Sequence, residues 1–361
     1  MIDGEIVFVT DIISITSEEG VTVVPTENVT DSDSTDAIDG TAPIIKPIAI
    51  AKEGDLPVGV FCLPLHGMVG TYFRDDEIRT LVDHIEENYG LGQIIILEIH
   101  SGGGAVHIWD KIRNLIFELR DRHRFVAWIE SAGSGAAATA FLCDEIYYRS
   151  FGYVGAITMY AGSIENVAPD WQMDGWVREL ESVLARTSHT PMIAGSMVRS
   201  KNNFSYDIDP ETGIFTYYDH EFGDHVLSKT GRNMMLNASE ALHCGMSDGT
   251  ADTGEELAAL LDLDEWIEID QFGRELAAKW TATLDEFENE AFPELRRKFG
   301  GDVQGKNAKE RITNQIKAGE ELLKWAKILG DTGEMLGLSK RAIEQIKRQI
   351  KDLEHQRQQI E

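Results

Sequence analysis

The chain is poor in cysteine and has no long apolar runs. Its 361 residues include three cysteines, none at the spacing of a metal site: Cys62, Cys143 and Cys244. Their apolar surroundings predict buried thiols in a reducing compartment. No apolar run approaches the roughly 18 residues that cross a membrane, and the first residues lack the basic and apolar parts of a signal peptide. We therefore expect a soluble, cytoplasmic protein without a membrane span.

Positive charge is also scarce. The chain has 62 acidic and 33 basic residues and a net charge of −29. Binding to nucleic acid or anionic lipid requires the opposite balance, so neither partner is expected. Residues 1–45 contain ten Asp or Glu and no Lys or Arg. Such a composition cannot bury a core, and it predicts an acidic, flexible segment over 1–48, with an interaction or propeptide segment as the alternative.

Apolar stretches alternate with amphipathic ones over residues 49–264. The runs at 58–65, 93–99 and 124–129 indicate buried strands, whereas 75–89 and 106–119 have apolar residues at helical spacing. This alternation predicts an α/β domain with a mostly parallel sheet and right-handed crossovers. Residues 265–361 instead show helical patterns, so we expect a helical C-terminal region. Its last apolar stripe, over 343–360, predicts packing against the body of the protein or homo-oligomer formation.

Two small-residue turns each follow a predicted strand and precede a predicted helix. The first consists of three glycines that let backbone N–H groups approach a ligand closely: Gly102, Gly103 and Gly104. The second places Ser134 before Gly135 at a helix N-terminus, where N–H groups favour negative charge. Together the turns predict an oxyanion hole that faces a serine, and hence an enzyme site.

Four segments resemble the ClpP/crotonase superfamily and, within it, the signal peptide peptidase A family of serine peptidases. They are the glycine turn at 97–106, the serine helix with its Asp-x-Ile-Tyr strand at 131–147, the segment 153–158 and the closing signature 236–248. The likeness covers residues 57–262. It implies a ClpP/crotonase-like fold for 49–264, a peptide or protein substrate, and neither a cofactor nor a metal.

The resemblance also implies site roles. Ser134 would be the nucleophile of a Ser–Lys dyad, with Ser131 as a competing candidate. The backbone N–H groups of Gly103 and Gly135 would form the oxyanion hole. Three further residues would contact the substrate: Gly102, Gly104 and His100.

The general base is the open element of this assignment. No lysine lies between Ser134 and Ser200, so Lys201 is the first candidate, although it comes later than the family spacing requires. A lysine base must be largely neutral, which needs a pKa well below about 10.4. His189 is the alternative base, because imidazole needs little tuning. His66, like His100, lies at a predicted strand end near the site.

Three functions remain open. The first is a soluble serine endopeptidase that acts within an oligomer on peptides added as a strand beside the glycine turn. The second is a catalytically inactive assembly or scaffold protein of the phage head-maturation kind, associated with a virion. The third is a crotonase-type acyl-CoA enzyme, which is disfavoured because that chemistry needs no serine at position 134.

Overall fold

The structure is a computed structural model that describes residues 58–160, 166–228 and 231–360. The predicted acidic segment 1–48 lies outside the described residues. Contacts divide the described chain into two units. We call residues 58–69 and 73–274 the sheet unit, and residues 70–72 and 275–360 the helical unit.

The sheet unit is a mixed α/β structure whose first four strands are parallel neighbours in chain order. Its elements are β1 (Val60–His66), α1 (Asp75–Tyr89), β2 (Ile94–Ser101), α2 (Val106–Leu119), β3 (Arg124–Gly133), α3 (Ser134–Ala140), β4 (Glu145–Gly155), α4 (Asp170–Leu184), α5 (Ala194–Val198), β5 (Ser205–Ile208), β6 (Phe215–Tyr218), β7 (His225–Val226), β8 (Met235–Asn237), α6 (Ala238–His243), β9 (Gly249–Thr250) and α7 (Gly254–Leu260). Beyond β4, strand β8 pairs antiparallel and β9 parallel. The predicted fold class is confirmed.

The central strands are apolar over most of their length, as expected for strands that are covered on both faces. In β2, Ile94 to Leu97 and Ile99 are all buried. Side chains on one face of the sheet form a hydrophobic cluster with residues of α7. Its members are Val60, Cys62, Ile94, Ile96, Val126, Trp128, Tyr147, Ala251, Leu257 and Leu261. The three cysteines are free and buried, as predicted. Burial on both faces is the usual arrangement for parallel strands.

Register shifts near the carboxyl ends of the strands set the geometry of the site. Between β2 and β3 the register shifts at Ile99 and His100, so that His100 lies opposite Ser131. Between β3 and β4 it shifts again, and Ser131 pairs with Tyr153. Strand β4 runs without a break from Glu145 to Gly155, so it contains both the Asp-x-Ile-Tyr strand and the first residues of the segment 153–158.

A second, antiparallel sheet was not predicted. It has the order β6-β5-β7 and lies between α5 and β8 in the chain. Its aromatic rings stack, with Phe215 and Tyr217 5.7 Å apart and Tyr206 and His225 5.0 Å apart. The strands are only two to four residues long, which is too short for a clear alternating pattern in the sequence.

The helical unit confirms the predicted helical C-terminal region. Its elements are α8 (Phe272–Glu286), which begins in the sheet unit, α9 (Phe292–Phe299), α10 (Ala308–Leu329), α11 (Thr332–Met335) and α12 (Lys340–Gln358). They share a core that includes Trp280, Phe287, Trp325 and Ile346. Within the described ranges, none of the helices is both long and apolar enough to span a membrane.

The buried centre of β2 provides a test of the sheet core. Leu97 is fully buried, so Leu97→Ala should lower the free energy of unfolding by about 2–5 kcal/mol. Leu242, half exposed on α6, is the matched control, and its alanine variant should change stability by no more than about 0.5 kcal/mol. Urea unfolding followed by circular dichroism measures both. Equal effects would contradict the burial pattern.

Candidate active site

The two turns predicted from the sequence lie against each other at the ends of β2 and β3. A Cβ added to Gly103 would lie 2.4 Å from Cβ of Ser134 and 2.8 Å from the Gly133 carbonyl oxygen. Only glycine fits at such a distance. Gly103 also has φ 103°, a backbone conformation that favours glycine. The structure therefore brings the glycine turn and the serine turn into direct contact.

Ser134 has an unusual backbone. Its φ is 48°, in the left-handed region that residues with a Cβ rarely adopt. It is the first residue of α3 and directly follows β3, so a strand ends and a helix begins at this strained residue. Ser134 is partly exposed, whereas Ala136 to Ala140 behind it are buried. Sharp strand–serine–helix turns of this kind present Oγ to a ligand.

The glycine turn is held on one side by Val69. The Val69 N–H donates to the Gly103 carbonyl at 3.0 Å, and the Ala105 N–H donates to the Val69 carbonyl at 3.0 Å. This is a parallel bridge between Val69 and Gly104. Because successive residues of an extended chain direct their polar groups to opposite sides, the N–H and C=O of Gly104 point away from Val69.

Two backbone N–H groups near Ser134 have no acceptor in the described part of the chain. One belongs to Gly135, the second residue of α3, whose N–H has no partner within the helix. The other belongs to Gly104, whose nitrogen would lie 3.6 Å from a Cβ on Gly135. By contrast, the Gly103 N–H donates to Oγ of the buried Ser101 at 3.1 Å. The N–H groups of Gly104 and Gly135 are therefore available to a ligand.

The two predicted bases make no hydrogen bond to Ser134. Lys201 pairs its ammonium with Oδ1 of Asp170 at 3.8 Å, and its side chain is 65% exposed. His189 is buried, and its ring lies 6.4 Å from that of Phe141, which follows the last residue of α3. Ser134 begins the same helix, so His189 lies at its opposite end. Burial lowers the pKa of His189 to about 4, which keeps it neutral at neutral pH.

Polar side chains surround His100 near the end of β2. Its Nδ1 lies 3.0 Å from Ser131 Oγ and 3.2 Å from a carboxylate oxygen of Glu130. The ring of His66 lies 5.8 Å away, edge to face, and burial together with the neighbouring His100 lowers the pKa of His66. Ser131, the competing nucleophile, is therefore paired with an imidazole but is only 6% exposed.

Two features of the site were missed by sequence reasoning. The pairing of Val69 with the glycine turn joins segments more than thirty residues apart, and a single apolar residue carries no signal for it. The bond from Gly103 to Ser101 depends on the rotamer of one serine. The only indication of this bond in the sequence is the serine that lies two residues before Gly103. No cluster of His, Cys, Asp or Glu able to hold a metal ion occurs in the described ranges.

Comparison with known proteins gave matches among solved structures. No protein-family model matches the chain, and no curated protein matches it. The chain is similar to a membrane-bound stomatin-specific protease, solved as a lysine-to-alanine mutant with a substrate peptide, at 17% identity and a TM-score of 0.42 over 56% of this chain and 79% of that one. It is also similar to the ClpP protease catalytic domain from Plasmodium falciparum, at 13% identity and a TM-score of 0.34 over 53% and 85%.

The strained backbone of Ser134 can be tested through stability. Glycine tolerates φ 48° and alanine does not, so Ser134→Gly should be more stable than Ser134→Ala by about 1 kcal/mol. Ser131, in the strand β3, is the matched control, and there the glycine variant should be the less stable one by about 0.5–1 kcal/mol. Denaturant titration of the four variants gives both differences. The same order at both positions would argue against a strained turn.

The close contact between the turns predicts that Gly103→Ala strongly lowers the stability of the protein. The added methyl would overlap Ser134, which should cost about 1–3 kcal/mol beyond the backbone strain. Gly213→Ala is the control, because Gly213 also has a positive φ of 72° but no described atom within 4 Å of its added Cβ. Thermal unfolding of both variants separates overlap from backbone strain. Equal losses of stability would contradict the contact.

Proposed function

We propose that the protein is a serine peptidase that cleaves extended peptides, with Ser134 as its nucleophile. The observation that carries this proposal is a partly exposed serine at φ 48°, at a strand-to-helix turn that contacts a glycine turn. Holding a serine in a strained backbone costs stability, and such strain is characteristic of functional sites. The hydroxyl makes no hydrogen bond to another described residue, which leaves Oγ free to meet a substrate carbonyl.

The oxyanion would be bound by the backbone N–H groups of Gly135 and Gly104. Both lie beside Ser134 and have no acceptor in the described chain. Gly103 is the second donor expected from the sequence, but its N–H already donates to Ser101 Oγ, so we propose Gly104 in its place. Losing one such donor typically lowers the rate by about 10²–10³.

The reaction would proceed in two steps. Oγ of Ser134 bonds to the scissile carbonyl carbon and gives up its proton, the C–N bond breaks, and the departing amine takes up a proton. Water then attacks the acyl ester, which releases the acid and restores the serine hydroxyl. A Ser–Lys dyad requires Lys201 to exchange Asp170 for the serine turn and to become buried, because burial is what favours a neutral amine.

The free edge of the glycine turn would bind the peptide as an added strand. Val69 already occupies one edge of residues 103–105. The N–H and C=O of Gly104 point to the opposite edge, where Ser134 lies. A peptide paired along that edge would bring its carbonyl to Oγ by main-chain hydrogen bonds alone, in the manner of strand addition. Gly102, at the start of this turn, and His100, two residues before it, would contact the side chains of the peptide.

A second candidate is an inactive assembly protein that acts as a homo-oligomer through its C-terminal helices, in the cytoplasm or in a virion. The observation that favours it is the position of the two predicted bases. Lys201 is paired with Asp170, and His189 is buried at the far end of α3. A serine without a proton acceptor is a weak nucleophile. This candidate predicts that Ser134→Ala leaves every activity unchanged.

A serine-directed probe distinguishes the two candidates. A fluorophosphonate forms a phosphorus–oxygen bond with an activated serine and releases fluoride, so the wild type should be labelled at Ser134, whereas Ser134→Ala should lose labelling altogether. Ser131→Ala is the matched control and should be labelled at the wild-type rate. Intact-mass and peptide mass spectrometry report the modified residue, and a peptide library incubated with the same proteins reports the cleavage sites.

Each result decides between the hypotheses. Labelling and cleavage that survive Ser134→Ala but vanish in Ser131→Ala would assign the chemistry to the Ser131–His100 pair instead. Absence of both reactions in the folded wild type would favour the assembly protein. Lys201→Met tests the dyad separately, because it should abolish cleavage only if this amine accepts the proton.

A further inference from the structure

An extra residue in β3 directs a carboxylate to one face of the sheet. Along β2, Ile99 pairs with Ile129. The next pair is His100 with Ser131, so Glu130 is left without a partner on β2, which makes it the extra residue of a β-bulge. Glu130 Oε1 lies 3.2 Å and Ser131 Oγ lies 3.0 Å from Nδ1 of His100. The bulge therefore brings the Glu130 carboxylate to the face of the sheet on which His100 lies.

That face of the sheet is polar close to the serine turn. Residues that pair in register have their side chains on the same face. One such row of polar residues crosses five strands and consists of His66, His100, Ser131, Tyr153 and Asn237. Two residues further along, Gly133 pairs with Gly155, and neither has a side chain. Because side chains of a strand alternate between its faces, no side chain on this face of β3 lies between Ser131 and Ser134.

Glu130 differs from two other carboxylates of the sheet unit in having no cationic partner. Glu98, two residues before His100 on β2, accepts two hydrogen bonds from Arg274, at 2.7 and 2.9 Å. Arg274 also donates to Glu268 at 2.8 Å, so one guanidinium serves both carboxylates. Within the described ranges, Glu130 has no lysine or arginine partner, and its side chain is 44% exposed. A cation that arrives from solution can therefore reach the Glu130 carboxylate.

Charge and hydrogen-bonding capacity both favour a basic ligand at Glu130. A carboxylate has about four acceptor positions on its two oxygens, so the contact with His100 leaves room for further donors. Burial and the nearby His100 lower the pKa of His66, so at neutral pH this second imidazole adds no positive charge that would repel a cation. The net charge of −29 on the whole chain also attracts basic peptides and repels acidic ones.

We propose that Glu130 recognises a lysine or arginine side chain of the peptide that Ser134 cleaves. This inference rests on the function proposed above and names a substrate class for it. Glu130 lies four residues before Ser134, a span of at most about 14 Å in an extended chain. A peptide along the free edge of the glycine turn would contact His100, the residue that Glu130 touches. Long basic side chains can lie along such a surface and place their charged end on a carboxylate.

The size of the expected preference lies between two limits. An exposed ion pair changes an equilibrium by at most about fivefold, whereas a hydrogen bond to a charged group contributes about 10–100-fold. The Glu130 side chain is partly exposed and would be covered by the bound peptide. We therefore expect a lysine peptide to be cleaved about tenfold faster than the same peptide with norleucine, which is similar to lysine in length but has no charge.

The test uses the full chain and peptide pairs that differ only in lysine or norleucine at one position, within about three residues of the cut. The measured quantity is the ratio of kcat/KM for the two peptides, which a partial loss of folded protein does not change. In Glu130→Gln the ratio should fall to about one, and Glu130→Lys should prefer the matching glutamate peptide. The control is Glu118→Gln, whose carboxylate is 55% exposed at the far end of α2 from the glycine turn and which should keep the wild-type ratio.

The inference and the proposed function fail separately. Equal cleavage of both peptides by the wild type, or a preference that persists in Glu130→Gln, would overturn the inference and leave Ser134 as the nucleophile. If the wild type is neither labelled nor cleaves any peptide, the proposed function fails. Binding of fluorescent lysine and norleucine peptides, measured by anisotropy, then tests Glu130 alone. Tighter binding of the lysine peptide that is lost in Glu130→Gln would support the recognition, and equal binding of both peptides would overturn it.

Discussion

The site depends on one close approach, between the Cα of Gly103 and the Cβ of Ser134. Neighbouring parallel strands lie about 4.8 Å apart, so turns at their ends meet only if no side chain stands between them. Glycine at position 103 meets that requirement. Gly104 meets a similar one on the other side of the turn, where an added Cβ would lie 2.2 Å from the Val69 carbonyl oxygen. With both side chains absent, the serine and the unpaired N–H groups share one small space.

The parts of this arrangement that were predictable are local ones. Apolar runs that alternate with helical spacing identified β1 to β3 and the helices between them, and glycine beside Ser134 indicated the turns. The pairing of Val69 with Gly104 and the short strands β5 to β7 depend on tertiary contacts, which no local pattern encodes. The surroundings of Lys201 could not be predicted either, because its exposure and its pairing with Asp170 arise only in the folded chain.

Charge adds a constraint on the chemistry. The chain is strongly acidic, and the lysine nearest in sequence to the serine turn on its C-terminal side is engaged with a carboxylate. A base that must be neutral is harder to maintain in such surroundings than an oxyanion hole, because the hole uses backbone dipoles that carry no net charge and need no titration. In the proposed mechanism, the described residues thus account for electrostatic stabilisation more completely than for proton transfer.

A turn made of glycine obtains its close contacts at the expense of its own rigidity. Since the three residues 102–104 have no side chains to pack, their order must come from backbone partners, and Val69 is the partner on the edge away from Ser134. The geometry of Gly104 therefore depends on Val69, which holds the residues on either side of Gly104 by two backbone hydrogen bonds.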